Sequence, residues 1–176
     1  MNKKLITYLV SFAAFFGPFT QSIYTPLLPQ VKQQFHTSEY GVNLTISIFT
    51  FVMAFMQIVY GPLVDNLGRK KILLPGIALY IVASMGAAYA NSIGLLLVCR
   101  VLQAGGIAVG SVVATTVIGD LYEGAPRGRA MGTFQMLVAL GPAVGPVIGG
   151  FVGQFFGFHG VFWVLAFLAW CCCCST

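Results

Sequence analysis

The chain has 176 residues, of which 58% are apolar and only 7% charged, and it carries a formal charge of +5. A soluble domain typically holds about 25% charged residues, so a water-exposed surface is excluded and lipid is the expected solvent. The basic excess does not indicate a nucleic-acid partner, because Lys3 and Lys4, the cluster Arg69, Lys70 and Lys71, and the pair Arg127 and Arg129 lie between long apolar runs.

A spanning helix needs about 20 apolar residues, and the chain offers six candidate runs. Residues 5–28 form the first, which Pro26 and Pro29 are expected to close, and a polar linker follows at 30–40. Its opening resembles a signal peptide but is too long for one, so an uncleaved first helix is expected. Residues 41–64 form the second span, and a tight reversal at 65–71 contains Gly68, which suits a sharp turn. The third span covers 72–90, with a short turn at Asn91 and Ser92, and the fourth covers 93–119. A polar linker at 120–129 leads to the fifth span, 130–153, and residues 154–160 lead to the last. That last run, 161–174, reaches only about 21 Å at helical rise, against a hydrocarbon layer of about 30 Å. A distorted or incomplete sixth helix is therefore expected, followed by an atypical Cys-rich tail at 171–176.

Seven basic residues fall at the N-terminus and in the second-to-third and fourth-to-fifth loops, while the opposite loops hold only Lys32. Basic loops stay in the cytoplasm, which places the N-terminus inside a multi-pass protein of the cell membrane. Cys99 is isolated in an apolar run, and the block Cys171 to Cys174 cannot comfortably converge on one tetrahedral metal. Neither a disulfide framework nor a metal site is expected, and no cofactor.

Three segments depart from simple lipid-facing helices. In GPLVDNLGRKKILL, Gly61 to Leu74, Asp65 opposes the dipole at the end of one helix, and Arg69 to Lys71 oppose it at the start of the next. An Asp65–Arg69 pair across Gly68, joined by Asp120, would relieve both conflicts, although a solvated loop pair is worth only about 0–1 kcal/mol. Arg100 sits roughly 10 Å into the fourth span, with Gln103 on the same face and Gly105, Gly106 and Gly110 keeping that helix slim. A membrane-buried arginine is costly unless it faces a cavity or a partner, and is functional by default; a structural arginine bonded to backbone carbonyls is the alternative. In the fifth span, GPAVGPVIGG sets Gly141, Gly145 and Gly149 in one stripe beside Pro142 and Pro146, a pattern of close helix packing that asks for a specific partner.

Together these residues resemble the major facilitator superfamily, in particular its drug:proton antiporter branch, through its N-terminal six-helix half. The loop matches G-x-L-x-D-[RK]-x-G-[RK]-[RK] except at Asn66. Leu96, Arg100, Gln103 and Gly106 match the fourth-helix pattern L-x-x-x-R-x-x-Q-G-x-G, with Ala104 in place of a glycine. Gly141, Gly145, Pro146, Gly149 and Gly150 match every specified position of G-x-x-x-G-P-x-x-G-G, and SIYTPLLP is similar to the family's Tyr-x-Pro-x-x-Pro ending. The resemblance covers roughly residues 5–170.

It implies an all-α half of a twelve-helix transporter working by alternating access. By the same analogy, Gly61, Asp65, Gly68, Arg69, Lys70 and Asp120 would latch the cytoplasmic side, and Arg100 would assist proton coupling. The Gly145–Pro146 kink would seal against a second bundle. All four acids, Glu39, Asp65, Asp120 and Glu123, fall at span edges or in loops, and Ser22 stands where some relatives have an acid. A mostly apolar central cavity with few polar groups (Gln21, Tyr24, Asn43, Gln57, Arg100, Gln103, Gln135) is expected, with Arg100, Gln103, Tyr24 and Gln21 serving coupling and substrate, and it suits lipophilic cargo better than sugars. The expected function is proton-coupled efflux of small lipophilic compounds, with lipid, protons, a small-molecule substrate and a missing second half as partners. A metabolite transporter and a truncated, non-transporting fragment are the alternatives. No constellation of nucleophile and base suggests an enzyme.

Overall fold

The computed structural model describes the backbone of residues 3–175 and the side chains of residues 6–170 except Lys70. The side chains of the tail, of Lys3 and Lys4, and of Lys70 lie outside that set. Helix α1 runs Lys3–Tyr24, continues through a 3-10 turn at Thr25–Leu27, and passes into α2, Leu28–Gln34. Then come α3 (Glu39–Leu67), α4 (Arg69–Ala88), α5 (Ile93–Leu121) and α6 (Ala125–Ser175). Among the described residues, five runs are long and apolar enough to cross a membrane: Ile6–Gln34, Glu39–Leu67, Lys71–Ala88, Ile93–Leu121 and Ala125–Trp170.

Two differences from the sequence reading have local causes. Pro26 falls in the 3-10 turn and Pro29 in the first turn of α2, where a missing N–H leaves no bond unmade. The prolines therefore tighten the chain without ending it, and the helix continues to Gln34. The expected fifth and sixth spans form one helical run, α6, broken at Gly157 with φ 65° and ψ −172°. Only glycine adopts that conformation readily, so the linker expected at 154–160 contracts to one residue. Helical backbone resumes at Phe158 and continues to Ser175, about 27 Å at helical rise.

The reversals between spans follow local chemistry. Ser38 and Ser92 cap α3 and α5, accepting the N–H groups of Gly41 and Leu95 at 3.3 and 3.2 Å, which satisfies donors that lipid cannot. Gly68, at φ 88°, turns α3 sharply into α4.

Helix α5 is the centre of the bundle, with a buried run from Leu96 to Ile118. Small residues allow this. A Cβ on Gly106 would lie 2.6 Å from the Gly76 carbonyl oxygen of α4, and one on Gly110 would lie 2.8 Å from the Ala13 carbonyl oxygen of α1. On a third side, Gln57 of α3 donates to Ser111 at 3.1 Å. Helix α6 packs along α1, and its last part sends Phe158, Phe162 and Leu165 into the main core beside Phe16, Tyr24 and Leu96. Much of α3 remains uncovered, with Phe51, Phe55, Ile58 and Val59 exposed, as does the α6 face bearing Val147, Phe151 and Phe155.

The two ends differ. At one end, Thr7 of α1 meets Tyr122 just beyond α5 at 3.3 Å, and Arg69 pairs with Asp120. Arg127 and Arg129 open α6 at this same end. At the other end, His159 Nδ1 donates to the Ala88 carbonyl and Nε2 lies 2.9 Å from Gln34, while Lys32 pairs with Glu39 at 2.8 Å. The basic clusters thus gather at one end and Lys32 lies at the other, the asymmetry that orients membrane helices.

Candidate functional site

Arg100 projects from α5 into the densest part of the core, where it is 1% exposed. Its guanidinium lies 3.6 Å from the centre of the Tyr24 ring of α1, 5.0 Å from Phe162 of α6 and 5.6 Å from Phe49 of α3. Three helices therefore supply an aromatic cage, whose ring faces attract a cation strongly once water is removed. Nη1 donates to Gln103 Oε1 at 3.4 Å, one helical turn along the same face. The expected alternative, an arginine bonded to backbone carbonyls, is not what the described residues show.

Gln103 is held in turn, and the chain of bonds fixes every proton. Its Nε2 donates to Ser84 Oγ at 2.7 Å, and Ser84 donates to the Tyr80 carbonyl at 2.8 Å. Thr20 donates to the Phe16 carbonyl at 2.6 Å, so Tyr80 must donate in its 2.6 Å bond with Thr20. On the other side of the cage, Thr45 donates to the Val42 carbonyl at 2.6 Å, so the Tyr24 hydroxyl donates to Thr45 at 3.0 Å. The hydroxyls of this network are stiffly held, because each has its partners in a medium that offers no others.

Of the polar groups expected around a central cavity, Arg100, Gln103 and Tyr24 come together. Gln21 instead donates to Thr50 at 2.8 Å on a more open part of the α1–α3 contact, and Gln57 bonds to Ser111. Asn43 and Gln135 are exposed on other faces. Sequence reading missed Phe49, Phe162, Tyr80, Ser84, Thr20 and Thr45. The four hydroxyls were a usable signal, being polar groups inside apolar runs. The two phenylalanines were not, since each looks like any other core residue.

The glycine stripe has a partner within this bundle. A Cβ on Gly141 would lie 2.9 Å from the Phe19 nitrogen, one on Gly145 would lie 2.6 Å from the Ser22 Cβ, and one on Gly149 would overlap the Ile23 carbonyl. The stripe is a groove for α1. Pro142, Pro146 and Gly150 occupy the adjacent edge and are exposed, and a Cβ on Gly150 would meet nothing within 4 Å.

In the last turns of α3 Gly61 is half-buried and Asp65 exposed, and Gly68, just beyond the helix, is exposed. Arg69 pairs with Asp120 at the end of α5, and among the described residues no ion pair joins it to Asp65. Helix α3 continues two residues beyond Asp65 before Gly68 turns the chain, so Asp65 stays on the outer surface of its helix while Arg69 points toward α5.

Comparison with known proteins agrees with these motifs. A profile of the Major Facilitator Superfamily matches residues 10–174. The chain is 31% identical over 164 residues to the multidrug transporter AQR1 of Candida glabrata, covering 93% of this chain and 28% of that protein. It is 33% identical over 164 residues to citrate exporter 1 of Aspergillus niger, covering 93% of this chain and 31% of that one. In fold it resembles a bacterial homolog of the human lysosomal transporter Spinster, in an inward-facing and unoccupied conformation. The TM-score is 0.84 at 18% identity, over 99% of this chain and 43% of the other. The chain thus spans less than a third of the curated relatives it matches, and it belongs to the Major Facilitator Superfamily.

Proposed function

We propose that this chain supplies the first six-helix bundle of a secondary transporter that exports small lipophilic compounds in exchange for protons. In this reading the two parts of α6 on either side of Gly157 act as the fifth and sixth spans, and the N-terminus faces the cytoplasm of a cell membrane. A second bundle completes the protein, and the pair rocks about a site near the midplane. The short coverage of its relatives, 28% and 31%, is consistent with a missing second bundle.

The observation that carries the proposal is the buried Arg100. A cationic group enclosed by membrane helices is expensive, and here Gln103, Ser84 and Tyr24 are spent on holding it. Lipophilic cargo fits the aromatic, largely apolar surroundings. The Arg69–Asp120 pair and the outward-facing Asp65 would serve a cytoplasmic latch, together with Gly61, Gly68 and Lys70. The edge of Pro142, Pro146 and Gly150 would meet the second bundle. All four acids lie at or beyond helix ends, so the proton-carrying carboxylate would come from that bundle. A metabolite exporter using the same machinery is the second reading, favoured by the likeness to a citrate exporter.

The test is efflux by a transporter that joins this chain to a second bundle. Arg100→Ala should abolish gradient-driven export, and Arg100→Lys should restore it only in part, since the planar guanidinium is not reproduced. Normal export by Arg100→Ala would make the arginine a structural element only.

A further inference from the structure

Arg100 keeps its charge at any physiological pH, yet the described spans offer it no counter-ion. The aromatic cage attracts the cation, but cation–π contacts offset only part of the cost of burying an ion away from water. The bonding pattern shows where the balance is missing. Nη1 is occupied by Gln103, but Nε and Nη2 are buried and make no hydrogen bond among the described residues. These two nitrogens lie along one edge of the guanidinium, and their N–H groups point the same way. That edge is the fork that receives both oxygens of one carboxylate.

We infer that the open Nε–Nη2 edge of Arg100 is a carboxylate subsite, so that the substrate is an amphiphilic organic acid bound as its anion. This rests on the transporter reading and narrows its substrate class from lipophilic compounds in general. The fork is held ready by the Gln103–Ser84 bond on one side and the Tyr24 ring face on the other. Tyr24, Phe49 and Phe162 then offer rings to an apolar body attached to the carboxylate. The site is closed in this structure, and Phe162 rides on the part of α6 that follows the break at Gly157, so admission requires that part to move.

Benzoate, benzamide and benzylamine have similar shapes and carry negative, zero and positive charge, so they isolate the claim. Binding is measured by equilibrium dialysis against the chain in phosphatidylcholine nanodiscs, with empty nanodiscs subtracted. Benzoate should bind at least about tenfold tighter than benzamide, the gain of about 1.4 kcal/mol that such a ratio represents, and benzylamine should bind weakest. Arg100→Gln should erase the preference. Arg100→Lys, which keeps the charge but not the fork, should retain only a minor part of it. On the unaltered chain, benzoate but not benzamide should shift the Arg100 Nε–H resonance, which serves even where a variant fails to fold. Sodium chloride at equal concentration should not compete.

Equal binding of benzoate and benzamide would overturn the carboxylate subsite and leave a transporter of neutral lipophiles standing. Competition by chloride would reassign the edge to a simple anion. Benzoate binding by this chain, but not by a transporter joining it to a second bundle, would assign the edge to a carboxylate of that bundle. Failure of all three probes to bind would overturn the subsite, while gradient-driven export would still be judged by its own assay.

Discussion

The guanidinium of Arg100 lies 3.6 Å from the centre of the Tyr24 ring, and the Tyr24 hydroxyl bonds to Thr45 of a third helix. One tyrosine thus covers a buried charge with its face and links α1 to α3 with its edge. Tyr24→Phe keeps the face and loses the bond, so it should cost about 1 kcal/mol. Tyr24→Leu removes the face as well and should cost at least about 2 kcal/mol more. Thermal unfolding in detergent should rank the variants in that order, and the reverse order would deny the cation–π contact its role.

Gly149 and Gly150 are neighbours with opposite surroundings. A Cβ at Gly149 overlaps the Ile23 carbonyl, whereas one at Gly150 meets nothing within 4 Å. Gly149→Ala must push α1 and α6 apart and should destabilise by about 1–3 kcal/mol. Gly150→Ala should be neutral or stabilising by up to about 1 kcal/mol, as expected where a helical glycine gains a methyl without a clash. Melting temperatures of the two variants, moving in opposite directions, would check the groove.

The acids at the basic end should separate by function. Asp120 pairs with Arg69 at a partly exposed site, so Asp120→Asn should change stability by no more than about 1 kcal/mol. Asp65 is exposed and outside that pair. In a transporter containing both bundles, Asp65→Asn should cut export while leaving membrane insertion intact. Unchanged export would reduce Asp65 to an ordinary surface charge.

How much of this was legible beforehand depended on the range of the interaction. Apolar run lengths located the long helices, because lipid leaves the backbone few choices, but the two last expected spans form one run, α6, in a set of five among the described residues. The breaks were less legible. Pro26 and Pro29 read as a stop, yet proline in a helix's first turn is tolerated, and only three-dimensional context shows that α2 begins there. Gly157 was indistinguishable from the other glycines of its segment until its φ of 65° was known. At the site, the spacing of Arg100 and Gln103 placed them on one face. Phe49 and Phe162 lie 51 and 62 residues from Arg100 in sequence, and nothing local marks them as its cage. The glycine stripe announced a close partner, but periodicity could not say whether that partner was α1 or a second bundle.

The most direct measurement of the central claim compares two reconstitutions in vesicles carrying a proton gradient. Alternating access needs two bundles moving about a shared site, and in the proposed reading this chain contributes one. The chain alone should therefore show no gradient-dependent export, whereas the same chain joined to a second bundle should export and should lose that activity on Arg100→Ala. Gradient-dependent export by the purified 176-residue chain alone, shown to be free of host transporters, would contradict the account and make a self-sufficient or dimeric transporter the better description.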